Sequence, residues 1–183
     1  MRTVERLFRR AEVPVCESEG FRPKPRFHYP TSLALGMGGI DEVLEADLAD
    51  AIEPAELLDR LNAQTVPGLE FTHIEVLPTQ SKKGQPRRVR FEVQFSEELA
   101  SSLQPKLAEF QASTVWNIAR ENKHVDIRPL VEELSMVGGV LSMTLTVVND
   151  AGARPRDVLE ALGFSPDETL ELEITRTQVE MAT

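Results

Sequence analysis

Between Arg2 and Ala11 the apolar residues Val4, Leu7, Phe8 and Ala11 recur at i, i+3, i+4 and i+7, the stripe of an amphipathic helix. Arg2, Arg6, Arg9 and Arg10 fall largely off that stripe, and Pro14 bounds it. Val13 to Cys16 reads as a short extended piece pushed to an edge by its proline. In Gly20-Phe21-Arg22-Pro23-Lys24-Pro25-Arg26 the alternating prolines forbid a helix and favour an extended loop. Phe21 is expected to plug the core under this rigid turn; a loop lining a ligand is the alternative. Phe27 to Leu35 predicts a strand interrupted at Pro30, and Gly36-Met37-Gly38-Gly39 a turn. Val43 to Leu48 reads as a strand. Ile52 to Leu61 reads as a helix with Pro54 in its first turn and Leu57, Leu58 and Leu61 on its buried side. Leu69 to Leu77 reads as a strand ending at Pro78.

The second half is more regular. Val89, Phe91, Val93 and Phe95 alternate with polar residues, the signature of a half-buried strand. Leu99, Leu103, Leu107 and Phe110 predict a helix after Ser96, kinked or restarted at Pro105. Thr114 to Ala119 is expected to be extended, with a turn at 121–123. Val125 to Leu134 and Val140 to Val148 flank Gly138-Gly139 as a hairpin. Asp157 to Leu162 predicts a short helix ending at Gly163, and Leu170, Leu172, Ile174 and Val179 a final strand.

Laid end to end, these elements predict an α+β protein. Residues 90–183 follow the β-α-β-β-α-β order of a ferredoxin-like unit, and residues 1–78 match the same order with the opening strand absent. Residues 79–89, polar and basic around Gly84 and Pro86, are expected to be the linker or a hairpin tip. Two ferredoxin-like halves with antiparallel sheets follow. The missing strand would leave a free sheet edge, through which a homodimer is expected.

Charge changes this picture more than composition does. The 183 residues carry 20 Lys+Arg and 30 Asp+Glu, a formal net charge of −10. Residues 1–28 hold seven basic and four acidic side chains, 7 − 4 = +3, so the rest carries 13 − 26 = −13. Indiscriminate coating of nucleic acid is disfavoured by the acidic body, whereas a local basic face is not. Arg6, Arg9 and Arg10 on the helix, with Arg22, Lys24 and Arg26 on the loop, are the candidate ligand-binding residues for RNA or another phosphate-bearing ligand. Lys82, Lys83, Arg87 and Arg88 form a second basic patch. No run approaches the roughly 18 apolar residues of a membrane span, and no secretory leader is visible, so a cytoplasmic protein with no membrane partner is expected.

Catalytic signals are weak. Cys16 is the single cysteine and sits in an apolar stretch, where it reads as a small buried hydrophobe. His28, His73 and His124 show no metal-ligand spacing, and Gly36-Met37-Gly38-Gly39 lacks the Lys-Ser/Thr of a phosphate-cradling loop. No catalytic residue, metal or cofactor is assigned. Asp126 and Arg128 read as a structural pair or turn brace.

Three stretches resemble the radical-SAM-linked protein family, an uncharacterised family. They are Met1 to Ala11 running into Pro14-Val15, Ser18 to Arg26 with the approach to Gly36, and Val125-Asp126-Ile127-Arg128-Pro129. Members of that family usually have a strand and a Ser-His-Leu-Asp-like stretch before the arginine helix, and often a histidine where this chain has Lys24. The resemblance implies an accessory role beside a separate radical SAM or RNA-processing protein, and supplies no catalytic residue. Two other functions stay open: a protein-interaction subunit docking to a radical SAM enzyme without nucleic acid, and a small-molecule enzyme using Asp126 or His28.

Overall fold

The computed structural model describes residues 2–78, 81–120, 123–148 and 152–182. The chain has both helices and sheets, an α+β fold, and divides into two compact units: Met1–Pro30 with Leu44–Lys83, and Thr31–Val43 with Gly84–Thr183.

In the first unit, α1 (Arg2–Arg10) and α2 (Pro54–Asn62) pack through Leu7, Phe8, Leu57 and Leu61. The α1 stripe is the one its periodicity demands. Glu12 follows the helix with φ of 52°, the left-handed stop usually given to glycine. Arg60 of α2 donates to the carbonyls of Ala11 (2.8 Å) and Glu12 (2.6 Å), satisfying acceptors that the end of α1 leaves open. Two-residue strands β1 (Phe27–His28) and β3 (Glu45–Ala46) pair antiparallel, and single bridges join Val15 to Leu48 and Glu17 to Pro25.

The expected first ferredoxin-like half does not form among the described residues. Among the described residues this unit holds only that short ladder. The strand expected from Phe27 stops at His28, just ahead of Pro30, and the one expected over Val43 to Leu48 shrinks to β3. Residues 69–78 form no strand. Asn62 takes both backbone groups of Phe71: its Nδ2 donates to the carbonyl and its Oδ1 accepts from the N–H, each at 2.8 Å. Leu69, Phe71 and Ile74 pack against the α1–α2 core from this loop. Apolar spacing there reflects docking on helices, not sheet pairing.

The second unit opens in sequence with β2 (Gly38–Gly39), where a turn is expected from the glycines. It continues with β4 (Pro86–Gln94), α3 (Glu97–Ala112), β5 (Asn117–Arg120), β6 (Lys123–Asp126), a 3-10 turn at Arg128–Leu130, β7 (Val131–Val137), β8 (Val140–Thr146), α4 (Pro155–Ala161), α5 (Pro166–Glu171) and β9 (Ile174–Met181). Its main sheet has the order β2-β9-β4-β8-β7. β4 and β7 are joined through α3 with β8 between them, and β8 and β9 through α4–α5 with β4 between them: two interleaved split β-α-β crossovers. β4, β7, β8 and β9 pair antiparallel, whereas β2 runs parallel to β9.

Alternation on β4 works as expected. Val89, Phe91 and Val93 enter a core with Leu141, Met143 and Leu145 of β8, Leu103, Leu107 and Phe110 of α3, and Val158 and Leu159 of α4. Arg88, Arg90 and Glu92 point to the other face, opposite Thr146, Thr144 and Ser142. The hairpin at Gly138-Gly139 forms as the sequence predicts, although its first strand begins only at Val131, after the turn at Arg128–Leu130. α3 runs through Pro105 as one helix. Glu121 and Asn122 of the expected 121–123 turn lie outside the described residues, as do Thr79 and Gln80 of the 79–89 stretch.

The final strand is shorter than expected because α5 takes up Leu170. Ser165 and Glu168 cap it reciprocally, and Pro166 occupies its first turn. The two N–H and O–H donations of Ser165 hold the Glu168 carboxyl below its ordinary range.

Two arginines, one buried and one partly buried, organise this unit. Arg176, 2% exposed, faces inward from β9 and donates from Nε and Nη2 to the two carboxylate oxygens of Glu42, while also donating to the carbonyls of Thr31 (3.1 Å) and Ser32 (3.3 Å). That fork fastens residues 31–43 and brings Gly38-Gly39 alongside β9. Arg120 pairs bidentately with Asp157, their side chains 11% and 8% exposed, and donates to the Gly152 carbonyl at 2.8 Å. Asp157 also accepts from the Arg154 N–H at 2.6 Å, so one carboxylate both neutralises Arg120 and starts α4.

Candidate functional site

The N-terminal basic segments are built around one hairpin. The Arg26 N–H donates to Cys16 O at 2.8 Å, Ser18 N–H to Lys24 O at 2.8 Å, and Lys24 N–H to Ser18 Oγ at 3.1 Å. Half-buried Cys16 donates its N–H to Asp47 O at 2.7 Å, stitching the hairpin to the strand segment around β3. Gly20, with φ of 131°, supplies a reversal that an L side chain rarely adopts. Pro23 and Pro25 stiffen the returning limb.

At the base of this hairpin, Phe27 meets Phe8 of α1 edge to face, with ring centroids 4.9 Å apart. The arginine helix and the Pro-rich loop therefore share one core. At its tip the expectation for Phe21 fails: the side chain is 108% exposed and plugs nothing. The hydrogen bonds that shape the turn are made by backbone groups and Ser18, so the turn has no need of an apolar anchor.

Arg6 and Arg9 on α1, and Arg22, Lys24 and Arg26 on the hairpin, are exposed and their side chains have no partner among the described residues. Arg2 is exposed in the same way. Arg10 differs, donating from Nη2 to Gln64 O at 2.6 Å, which ties α1 to the end of α2. Tyr29, close enough to feel Glu5, has its hydroxyl pushed above the ordinary tyrosine range, first by burial and then by that negative charge.

The second basic patch is divided. Lys82 and Lys83 are exposed, while Arg87 and Arg88 are engaged by acids: Arg87 with Glu180 at 3.7 Å, and Arg88 with Glu132 at 2.6 Å and Glu180 at 3.5 Å. Glu132, which also accepts from Thr146 Oγ1 at 2.8 Å, is held below the ordinary carboxylate range by that hydroxyl and by Arg88.

Asp126 is a brace. Its Oδ1 accepts from the N–H groups of Trp116 (2.8 Å) and Arg128 (3.1 Å). The Arg128 guanidinium donates to the carbonyls of Ser113, Val131 and Gln111, and lies 5.4 Å from the Phe110 ring centre. The Val-Asp-Ile-Arg-Pro stretch thus locks the end of α3 to the start of β7. Two open depressions, about 390 Å³ lined by Asp41, Arg90, Glu92, Thr177 and Gln178 and about 370 Å³ beside β7, involve neither Asp126 nor His28. Among the described residues no group of three or more His, Cys, Asp or Glu is placed to hold a metal, and no helix is long and apolar enough to cross a membrane.

A family model described as an uncharacterized protein conserved in bacteria, DUF2344, matches residues 1–155. The chain belongs to the DUF2344 family. That match spans the arginine helix, the Pro-rich hairpin and the Asp126 brace, and ends at the first residue of α4. Comparison with curated proteins and with solved structures finds no match.

Sequence reasoning missed the pairing of buried Arg176 with Glu42, the Arg120–Asp157 pair, and the exposure of Phe21. A signal existed for Arg176: it shares strand parity with buried Ile174, so a charge on the core face demands a partner. For Phe21 the clue was an aromatic preceded by acids and followed by cations, with no second apolar residue in its turn.

Proposed function

We propose that this chain is an accessory binding module that holds RNA by its phosphate backbone, using α1 and the hairpin of residues 16–27, and presents it to a separate enzyme. The observation that carries this is a set of five exposed cations, Arg6, Arg9, Arg22, Lys24 and Arg26, whose side chains have no acidic partner among the described residues and whose two segments are joined through Phe8 and Phe27. A salt-bridged arginine must break its pair before it binds phosphate; an unpaired one need not. Guanidinium forks take two phosphate oxygens at once, and each neutralised phosphate releases counterions, so affinity falls steeply with salt. The −13 carried by the rest of the chain repels phosphate elsewhere and confines binding to this surface.

Anisotropy of a labelled RNA 12-mer tests the proposal. Wild type is expected to bind at 50 mM salt and weaken at 200 mM, with Arg6→Ala/Arg9→Ala binding less tightly; millimolar inorganic phosphate should compete poorly. RNA binding that is absent or insensitive to salt would overturn it. The radical SAM enzyme implied by resemblance belongs to the same proposal as the recipient, and co-purification from the native host tests that part. A tight protein partner recovered without RNA would favour a docking subunit instead.

A further inference from the structure

We infer that the surface takes nucleic acid in its single-stranded form, with Phe21 as the platform on which one base stacks. This rests on the RNA-binding reading above and specifies its ligand.

Phe21 has no structural task. It is fully exposed at the tip of the hairpin, in a turn already shaped by the Ser18–Lys24 hydrogen bonds, the Glu17–Pro25 bridge and the positive φ of Gly20. Those restraints, with Pro23 and Pro25, limit how far the tip can move, so ordering it on a ligand costs little entropy. An aromatic face offered to solvent by a stiff loop is a preorganised stacking surface.

The charges around it are arranged asymmetrically. The acids Glu17 and Glu19 precede the tip, and the cations Arg22, Lys24 and Arg26 all follow it. Lys24 and Arg26, two apart on the extended limb, fall on the same side of it, roughly 6.6 Å apart along the chain. Successive phosphates of an extended strand are spaced on that order. A base stacked on Phe21 would thus have its backbone led along the returning limb. Aromatic faces interleaved with cations are the common device for single strands. A duplex covers every base face except those of its two terminal pairs, so it offers Phe21 far fewer places to stack.

The experiment compares wild type, Phe21→Ala, Phe21→Tyr and Arg6→Ala/Arg9→Ala in anisotropy with labelled single-stranded U12 and with a blunt RNA duplex of equal charge. Because Phe21 packs against nothing, both substitutions at that position should leave the fold intact, which circular dichroism checks. The inference predicts that wild type prefers U12 to the duplex, that Phe21→Ala binds U12 about 5- to 100-fold more weakly, and that Phe21→Tyr restores binding. The salt dependence of Phe21→Ala should match wild type, since no cation is lost. If Phe21→Ala binds as wild type does while Arg6→Ala/Arg9→Ala fails, or if duplex binds as well as U12, the inference is overturned and the RNA-binding reading stands. If wild type binds no RNA but captures a polyglutamate peptide through the same residues, both fall.

Discussion

Phe27 stands edge-on to Phe8, with planes inclined at 69° and centroids 4.9 Å apart, and through that contact the arginine helix and the Pro-rich hairpin become parts of one unit. Phe8 also meets Phe71 in the same manner at 6.0 Å. Phe8→Ala is expected to destabilise the chain by about 3–5 kcal/mol, and half-buried Phe27→Ala by less. A double-mutant cycle in urea should return a coupling of about 0.5–1.5 kcal/mol between them. Additive losses would mean that the hairpin is held by its backbone bonds alone.

The Arg120–Asp157 pair is buried enough for desolvation to decide its behaviour. Asp157→Ala removes the α4 cap and strands Arg120 without its counter-ion, for an expected loss of about 3–5 kcal/mol. Glu160, whose carboxyl is raised by burial and by the nearby Asp157 charge, behaves oppositely. Glu160→Gln should be neutral or slightly stabilising at pH 7. Chemical denaturation of both variants checks the contrast; equal losses would contradict it.

Glycine at position 39 is required by space. A Cβ there would sit 2.5 Å from Glu42 Oε1, an atom already committed to Arg176. Gly39→Ala is therefore expected to cost about 1–3 kcal/mol and to raise amide exchange across residues 31–43. At Gly68, where nothing lies within 4 Å of the Cβ, only backbone strain opposes substitution. Unchanged exchange in Gly39→Ala would show that the Arg176 fork tolerates a shifted Glu42.

Glu132 gives a pH dependence of known sign. Its folded pKa is depressed, first by the Thr146 hydroxyl and then by Arg88, so its contribution is fully present above the unfolded value of about 4.3 and is lost as pH falls through the lower folded value. Thr146→Val removes the largest cause. The Glu132 carboxyl carbon should then titrate at higher pH in NMR, and acid unfolding below about pH 4.5 should lose part of its slope. A titration identical to wild type would exclude the hydroxyl as cause.

How far the fold was legible follows from where the information lies. α1, α2, α3, β4 and the Gly138-Gly139 hairpin were legible because each carries its own period or turn chemistry within a few residues. What was hidden depends on partners far along the chain. Gly38-Gly39 becomes a strand only because β9 lies beside it, more than 130 residues later in sequence. Residues 69–78 look like a strand until Asn62 is seen to take the backbone groups of Phe71. In the site, the cationic residues were readable from charge alone. Which of them are free was not: Arg10, Arg87 and Arg88 are engaged by Gln64, Glu180 and Glu132, while Phe21 faces water although its apolarity pointed inward.

The salt slope of RNA binding tests the central claim most directly. On a single strand each phosphate contact contributes about −0.7 to the slope of log K against log salt, so engagement of Arg6, Arg9, Arg22, Lys24 and Arg26 together predicts a slope near −3.5, from about five contacts. Replacing Arg9 and Lys24 with alanine should bring it to about −2.1. A slope near zero, or one that those replacements leave unchanged, would contradict phosphate binding at this surface.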